Sequence, residues 1–236
     1  MSEKLLLQLV EQLITVYGSD LQSVILYGSQ ASGEHSRKHS DYNVLAITEK
    51  IKFSNISKLS KLFNKWVRHG NKLPLFFTKA EFLQSCDIFP IEYLDMKDNH
   101  KTLFGEDPFV HLIINDKHLR HELEAELTGK LLKLRQQYMV ADYKSETRRL
   151  LIGSISTFLL LFRHLIRLYG ITPPLRRLDA LNFLSNKLGI KSQVFITVYN
   201  IKQGDKEAKK QDPDLLMEEY IAEIEKICKI VNDLDK

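Results

Sequence analysis

An α/β domain followed by an all-helical domain is the fold class this sequence predicts, and three observations carry it. Over the first hundred residues, short apolar runs rich in β-branched and aromatic residues alternate with helix-periodic segments. From about residue 116 the strand-like pattern stops and long helical periodicity takes over. A length of 236 residues suits one large domain or two small ones. The expected division is 1–112 and 113–236, joined through residues 108–115.

The elements follow in order. Residues 3–17 are helix-periodic. LQSVILYG (21–28) reads as a strand, then a polar turn, then a second strand, YNVLAIT (42–48). NISKLSKLFNKWVRH (55–69) reads as a helix with Ser54 or Asn55 as its N-cap. LPLFFT (73–78) is a short strand and KAEFLQS (79–85) a short helix; IEYLDMK (91–97) and HKTLFGE (100–106) both read as strands. Two long helices follow at 116–140 and 145–170, the second ending at Gly170 with Pro173 and Pro174 just beyond. Two shorter helices are expected within 175–189 and 192–204. KQGDKEAKKQDPD (202–214) reads as a mobile polar loop, and 214–235 as a closing amphipathic helix.

The composition, 44% hydrophobic and 27% charged, is that of an ordinary globular protein. A net charge of +4 favours anionic ligands such as nucleotides and gives no strong nucleic-acid signal. Two cysteines, Cys86 and Cys228, make neither a disulfide framework nor a metal-type spacing, which points to a reducing cytoplasm. The N-terminus carries acidic residues inside its helical period and does not read as a signal peptide. LLIGSISTFLLLF (150–162) is too short to span a bilayer and runs into Arg163 and His164, so a core helix is expected and no membrane partner.

The stretch with most chemistry is LYGSQASGEHSRKHSDYNVLAI (26–47). A strand ending in Tyr27-Gly28-Ser29 allows a tight turn whose amides and hydroxyl suit a phosphate, although it is not a Walker-type loop. Side chains two apart on a strand share a face, roughly 6.5–7 Å apart, so Asp41 and Asn43 point the same way. Oxygen ligands there suit Mg²⁺ held against a triphosphate. Glu92, flanked by Ile91 and Tyr93, is the candidate third carboxylate from a neighbouring strand.

Gly28-Ser29, the spacer, Ser40-Asp41-x-Asn43, Ile91-Glu92-Tyr93 and Leu103-Phe104-Gly105-Glu106-Asp107 together resemble the nucleotidyltransferase superfamily of DNA polymerase beta type. Within it, the bacterial adenylyltransferases that modify aminoglycosides are most similar, over about residues 20–108. The resemblance implies a nucleotidyltransferase-like mixed sheet with the ligand cleft between the two domains. It implies that Gly28 and Ser29 hold nucleotide phosphates, that Asp41, Asn43 and Glu92 are the metal and catalytic positions, and that Mg²⁺ with ATP or another NTP is bound. The implied reaction passes a nucleoside monophosphate, AMP in the first instance, to a hydroxyl acceptor on a small molecule or a protein. Antibiotic modification is one such role.

Asn43 departs from the family pattern, which has an aspartate there. An amide oxygen ligates Mg²⁺ without the charge that makes carboxylates preferred ligands. Three readings stand: a pseudoenzyme that binds a nucleotide or partner, an enzyme in which Asp87 or Asp95 supplies the missing charge, or a substitution introduced to trap a complex. Arg37 and Lys38, with His39, lie in the spacer within reach of a triphosphate, and Lys130, with Lys133 and Arg135, forms a basic stretch on the first long helix. His118 and His121 read as surface helix rather than a metal site. Glu122, Glu124 or Glu126 offers a base from the second domain. Exposed faces of the C-terminal helices leave room for a homodimer.

Overall fold

The computed structural model describes residues 2–32, 41–174 and 178–234, with only the backbone described at Ser2, Ser29 and Ser32. The chain divides into two compact units, Met1–Asn115 and Asp116–Lys236.

The first unit is built on a four-stranded sheet of β1 (Leu21–Tyr27), β2 (Asn43–Thr48), β3 (Leu75–Thr78) and β4 (His100–Gly105), in the order β3-β2-β1-β4. β1 runs antiparallel to both β2 and β4, and β2 runs parallel to β3, so the sheet is mixed. Its two central strands are covered on both faces, which is why VILY and VLAI read as unbroken apolar runs. Val24, Leu26, Val44 and Ala46 pack with Leu5, Leu9 and Leu13 of α1 (Ser2–Tyr17). Trp66 of α4 (Ser60–Arg68) completes that layer after α2 (Ser29–Ser32) and α3 (Phe53–Lys58). Ile25, Leu45 and Ile47 form the opposite face, against Phe82 of α5 (Lys79–Gln84), Tyr93 and Met96 of α6 (Pro90–Asp98), and Phe109 and Leu112.

Two readings of this unit are corrected. Residues 91–97 are not a strand but belong to α6. Ile91 and Tyr93 imitate a two-residue period over too short a span; the buried Pro90, Tyr93 and Met96 instead recur every third residue. Pro90 opens the helix, where a missing N–H costs nothing and its fixed φ fits. The helix assigned to 55–69 is two helices meeting at Leu59, and neither Ser54 nor Asn55 caps it. Lys52 is the N-cap, without a side-chain bond, and Asn55 lies buried one turn inside. By contrast α5 carries a complete capping box between Thr78 and Glu81.

Beyond β4 the chain turns back across the sheet. Lys97 Nζ donates to the Leu112 carbonyl at 2.8 Å, and the Phe109 ring lies 4.7 Å from that of His100. Asp107 pins this return: it accepts from Phe109 N at 2.9 Å and meets His100 Nε2 at 3.1 Å. Burial alone would push the Asp107 carboxyl up, but the Phe109 amide, the His100 ring and the Lys97 charge hold it below the usual carboxylate range. The sign follows from linkage. A depressed folded value contributes stability that is present above the unfolded aspartate value of about 3.9 and is lost as pH falls through the lower folded value. Asp107→Asn is therefore expected to be less stable than the parent above pH of about 4, with the gap closing as acid is added. Acid unfolding curves of the two proteins check this.

Among its described residues the second unit contains α7 (Asp116–Tyr138), α8 (Lys144–Leu168), α9 (Asp179–Leu188), α10 (Gln193–Gln203) and α11 (Pro213–Asp233). Leu119, Leu123, Leu127, Leu131 and Leu134 form one buried stripe along α7 at three- and four-residue spacing. α8 is long and apolar enough by composition to cross a membrane, yet 56% of its most apolar stretch is buried within the protein, as a core helix requires. Phe158 and Phe162 of α8, Phe195 of α10 and Tyr220 of α11 make a cluster of edge-on and tilted rings. The polar segment before α11 contains a single helical turn, Ala208–Lys210. It is tied to α8 by Arg148 Nη2 donating to the Lys209 carbonyl at 3.1 Å and by the Lys144–Asp212 ion pair.

Candidate functional site

β1 ends at Tyr27, and Gly28 then turns the chain with φ +80°, a left-handed conformation that glycine adopts without a Cβ clash. The Gly28 amide is already engaged, donating to the Asn99 carbonyl at 2.8 Å. Any phosphate held at this turn falls to the groups beyond Gly28, where α2 begins at Ser29. The Asn99 link draws the C-terminal end of α6 against the turn, a contact with no local sequence signal because it depends on β4 pairing with β1.

Asn43 opens β2 directly opposite Tyr27. Its side chain sits over the glycine: a Cβ built at Gly28 would lie 3.0 Å from Asn43 Nδ2. The Gly28 turn and the Asn43 position are thus brought together, and glycine is what lets the amide lie so close. Tyr42 turns the other way, its ring packing toward Trp66 and its amide donating to Asn71 Oδ1 at 3.1 Å. Asp41 is exposed, two residues before Asn43 and just outside the strand. Tyr27 lies partly buried on the Ile25 face, and burial raises its phenol above the ordinary value.

Glu92 is not where a strand would have put it. It is exposed in the first turn of α6, seven residues before the Asn99 that bonds Gly28, or roughly 10 Å along the helix axis at 1.5 Å per residue. On the side of β2 away from β1 lies β3, whose pairing begins with Leu45 beside Leu75, and Leu73 and Pro74 lead into it. Leu73, Pro74 and Leu75 supply no ligand oxygen from their side chains. Among the described residues, no three His, Cys, Asp or Glu side chains gather as a metal site. Asp41 and Asn43, two apart along the chain, are one carboxylate and one amide, and an amide oxygen ligates Mg²⁺ without the formal charge of a carboxylate.

Arg37 and Lys38 lie outside the described residues. Lys130 is in the second unit, on α7, and pairs with Glu126 at 3.2 Å. Glu124 pairs with Arg120 at 2.7 Å on the same helix.

No protein-family model matches the chain, and no curated protein sequence does. Among solved structures, the chain is similar to the spectinomycin adenyltransferase of Enterococcus faecialis, determined with ATP and spectinomycin. The match covers 94% of this chain and 99% of that one, with 12% identity and a TM-score of 0.55. An identity that low speaks to fold alone, and on that ground the chain has a nucleotidyltransferase-like fold, a mixed α/β sheet unit followed by a helical one.

Proposed function

We propose that the corner formed by Gly28, Ser29, Asp41 and Asn43 binds a nucleoside triphosphate, ATP in the first instance, and that metal-dependent transfer of its nucleotidyl group has been lost. The observation that carries this reading is the Asn43 side chain seated over Gly28 with no carboxylate beside it on β3 and with Glu92 on a helix. The turn that a nucleotide would use is intact in outline, while the charge that two metal ions require is missing. ATP is favoured because the solved adenyltransferase with this fold was determined with it.

The experiment is calorimetric titration of ATP into the parent, Asn43→Asp and Gly28→Val, each with and without Mg²⁺, with pyrophosphate release followed on the same samples. The parent is expected to bind ATP equally well with and without Mg²⁺ and to release no pyrophosphate. Gly28→Val is expected to abolish binding, because its side chain both meets Asn43 Nδ2 and opposes the positive φ. Asn43→Asp is expected to make binding Mg²⁺-dependent. Pyrophosphate release by the parent would overturn the loss of chemistry; ATP binding unaffected by Gly28→Val would overturn the site.

A further inference from the structure

α7 and α8 are consecutive helices joined by residues 139–143, and a hollow of about 310 Å³ opens along the groove between them. Its floor is apolar, from Leu134, Leu150 and the buried Phe158, and its sides carry Lys130, Lys133 and Arg149. The spacing explains the gathering: Lys130 and Lys133 are three apart on α7, while Arg149, Gly153 and Thr157 succeed one another at four-residue steps on α8. Lys130 has Glu126 as its counter-ion at 3.2 Å. Lys133 and Arg149 have no carboxylate partner among the described residues. Three like charges around one hollow repel one another, and an anion placed among them removes that cost.

Gly153 is the second observation. It lies in the interior of α8, where glycine weakens a helix relative to alanine, and its φ is not among the positive values that demand glycine. Packing does not demand it either, since a Cβ there would meet nothing within 4 Å. Gly153 lines the hollow, and a side chain there would stand in open space.

We propose that this groove binds a small phosphate-bearing molecule, with the phosphate among Lys133, Arg149 and Lys130 and an apolar body on Leu134, Leu150 and Phe158. The inference goes beyond the nucleotide reading, since every lining residue belongs to the helical unit. A volume of about 310 Å³ suits a molecule of one ring and one phosphate, at the small end of ligand pockets.

The test is calorimetric titration of phenyl phosphate into the full chain at low ionic strength. Binding is expected, weakening as salt is raised. The double variant Lys133→Ala/Arg149→Ala removes two surface charges, and Gly153→Leu fills the hollow from a position with open space around it; helical content by circular dichroism is expected to be retained in both. Each is expected to bind phenyl phosphate roughly tenfold more weakly or worse. Gly28→Val is expected to leave this binding unchanged, so failure here and failure of the nucleotide reading are told apart. Absence of phenyl phosphate binding to the parent overturns the proposal, and so does an affinity unaltered in both groove variants.

Discussion

Gly105→Ala is expected to destabilise the first unit by about 3–5 kcal/mol, the sum of backbone strain and overpacking. Gly105 closes β4 with φ +75°, and a Cβ there would fall 1.8 Å from the backbone oxygen of Gln22 and 2.8 Å from its carbonyl carbon. The obstacle is main chain at the start of β1, so no rotamer change relieves it. β4 would have to draw away from β1, loosening the Ser23 hydroxyl's 2.6 Å bond to the Glu106 carbonyl and the register that pairs Val24 with Phe104. Trp66 is the chain's single tryptophan and is fully buried beneath the same sheet, so its fluorescence during urea unfolding reports this unit directly. A midpoint unchanged from the parent would show that the β1–β4 contact is not as close as described.

Phe162→Ala is the corresponding change in the helical unit, with an expected loss of about 3–5 kcal/mol. Phe162 is fully buried on α8, with its ring 5.0 Å from Phe195 of α10 and 6.2 Å from Phe158. Removing it takes away transfer free energy and leaves a void walled by Phe195 and Phe158, side chains held by their own packing, so the void closes only in part. Phe162→Leu retains most of the volume and is expected to cost less than half as much, roughly 1–2 kcal/mol. Thermal unfolding followed by circular dichroism separates the two, and equal losses would show that aromatic packing at this position is not what matters.

These two residues also mark different kinds of legibility. Phe162 lies in an apolar run whose helical period is long enough to be read directly, and the α7 and α11 patterns are equally plain because each repeats over five or more turns. Gly105 is visible only as a glycine near the end of a strand. Its necessity arises from Gln22, more than eighty positions earlier, and no local pattern encodes that approach.

Glu92 shows where reading by period fails. Three alternating residues, Ile91, Glu92 and Tyr93, are compatible with strand and helix alike, and a span that short does not separate the two periods. Pro90 and the buried spacing of Pro90, Tyr93 and Met96 are the local signals for the helix. The consequence is chemical, since a Glu92 on a helix does not share a sheet face with Asn43, as the strand reading expected.

The sequence by itself determined the alternation of strands and helices, the change to pure helix near residue 116, and the pairing of a Gly-Ser turn with an Asp-x-Asn strand. It also determined that position 43 carries an amide and position 41 a carboxylate, because residue identity needs no structure. Only the tertiary structure decided which strand lies beside β2, that Asn43 rests over Gly28, and that the Gly28 amide is engaged by Asn99. The same holds for the gathering of Lys130, Lys133 and Arg149 around one hollow of α7 and α8. Periodicity is a property of neighbours along the chain and survives in one dimension. Register, strand order and the convergence of charges depend on contacts between distant segments, and these exist only once the sheet and the helical bundle have packed.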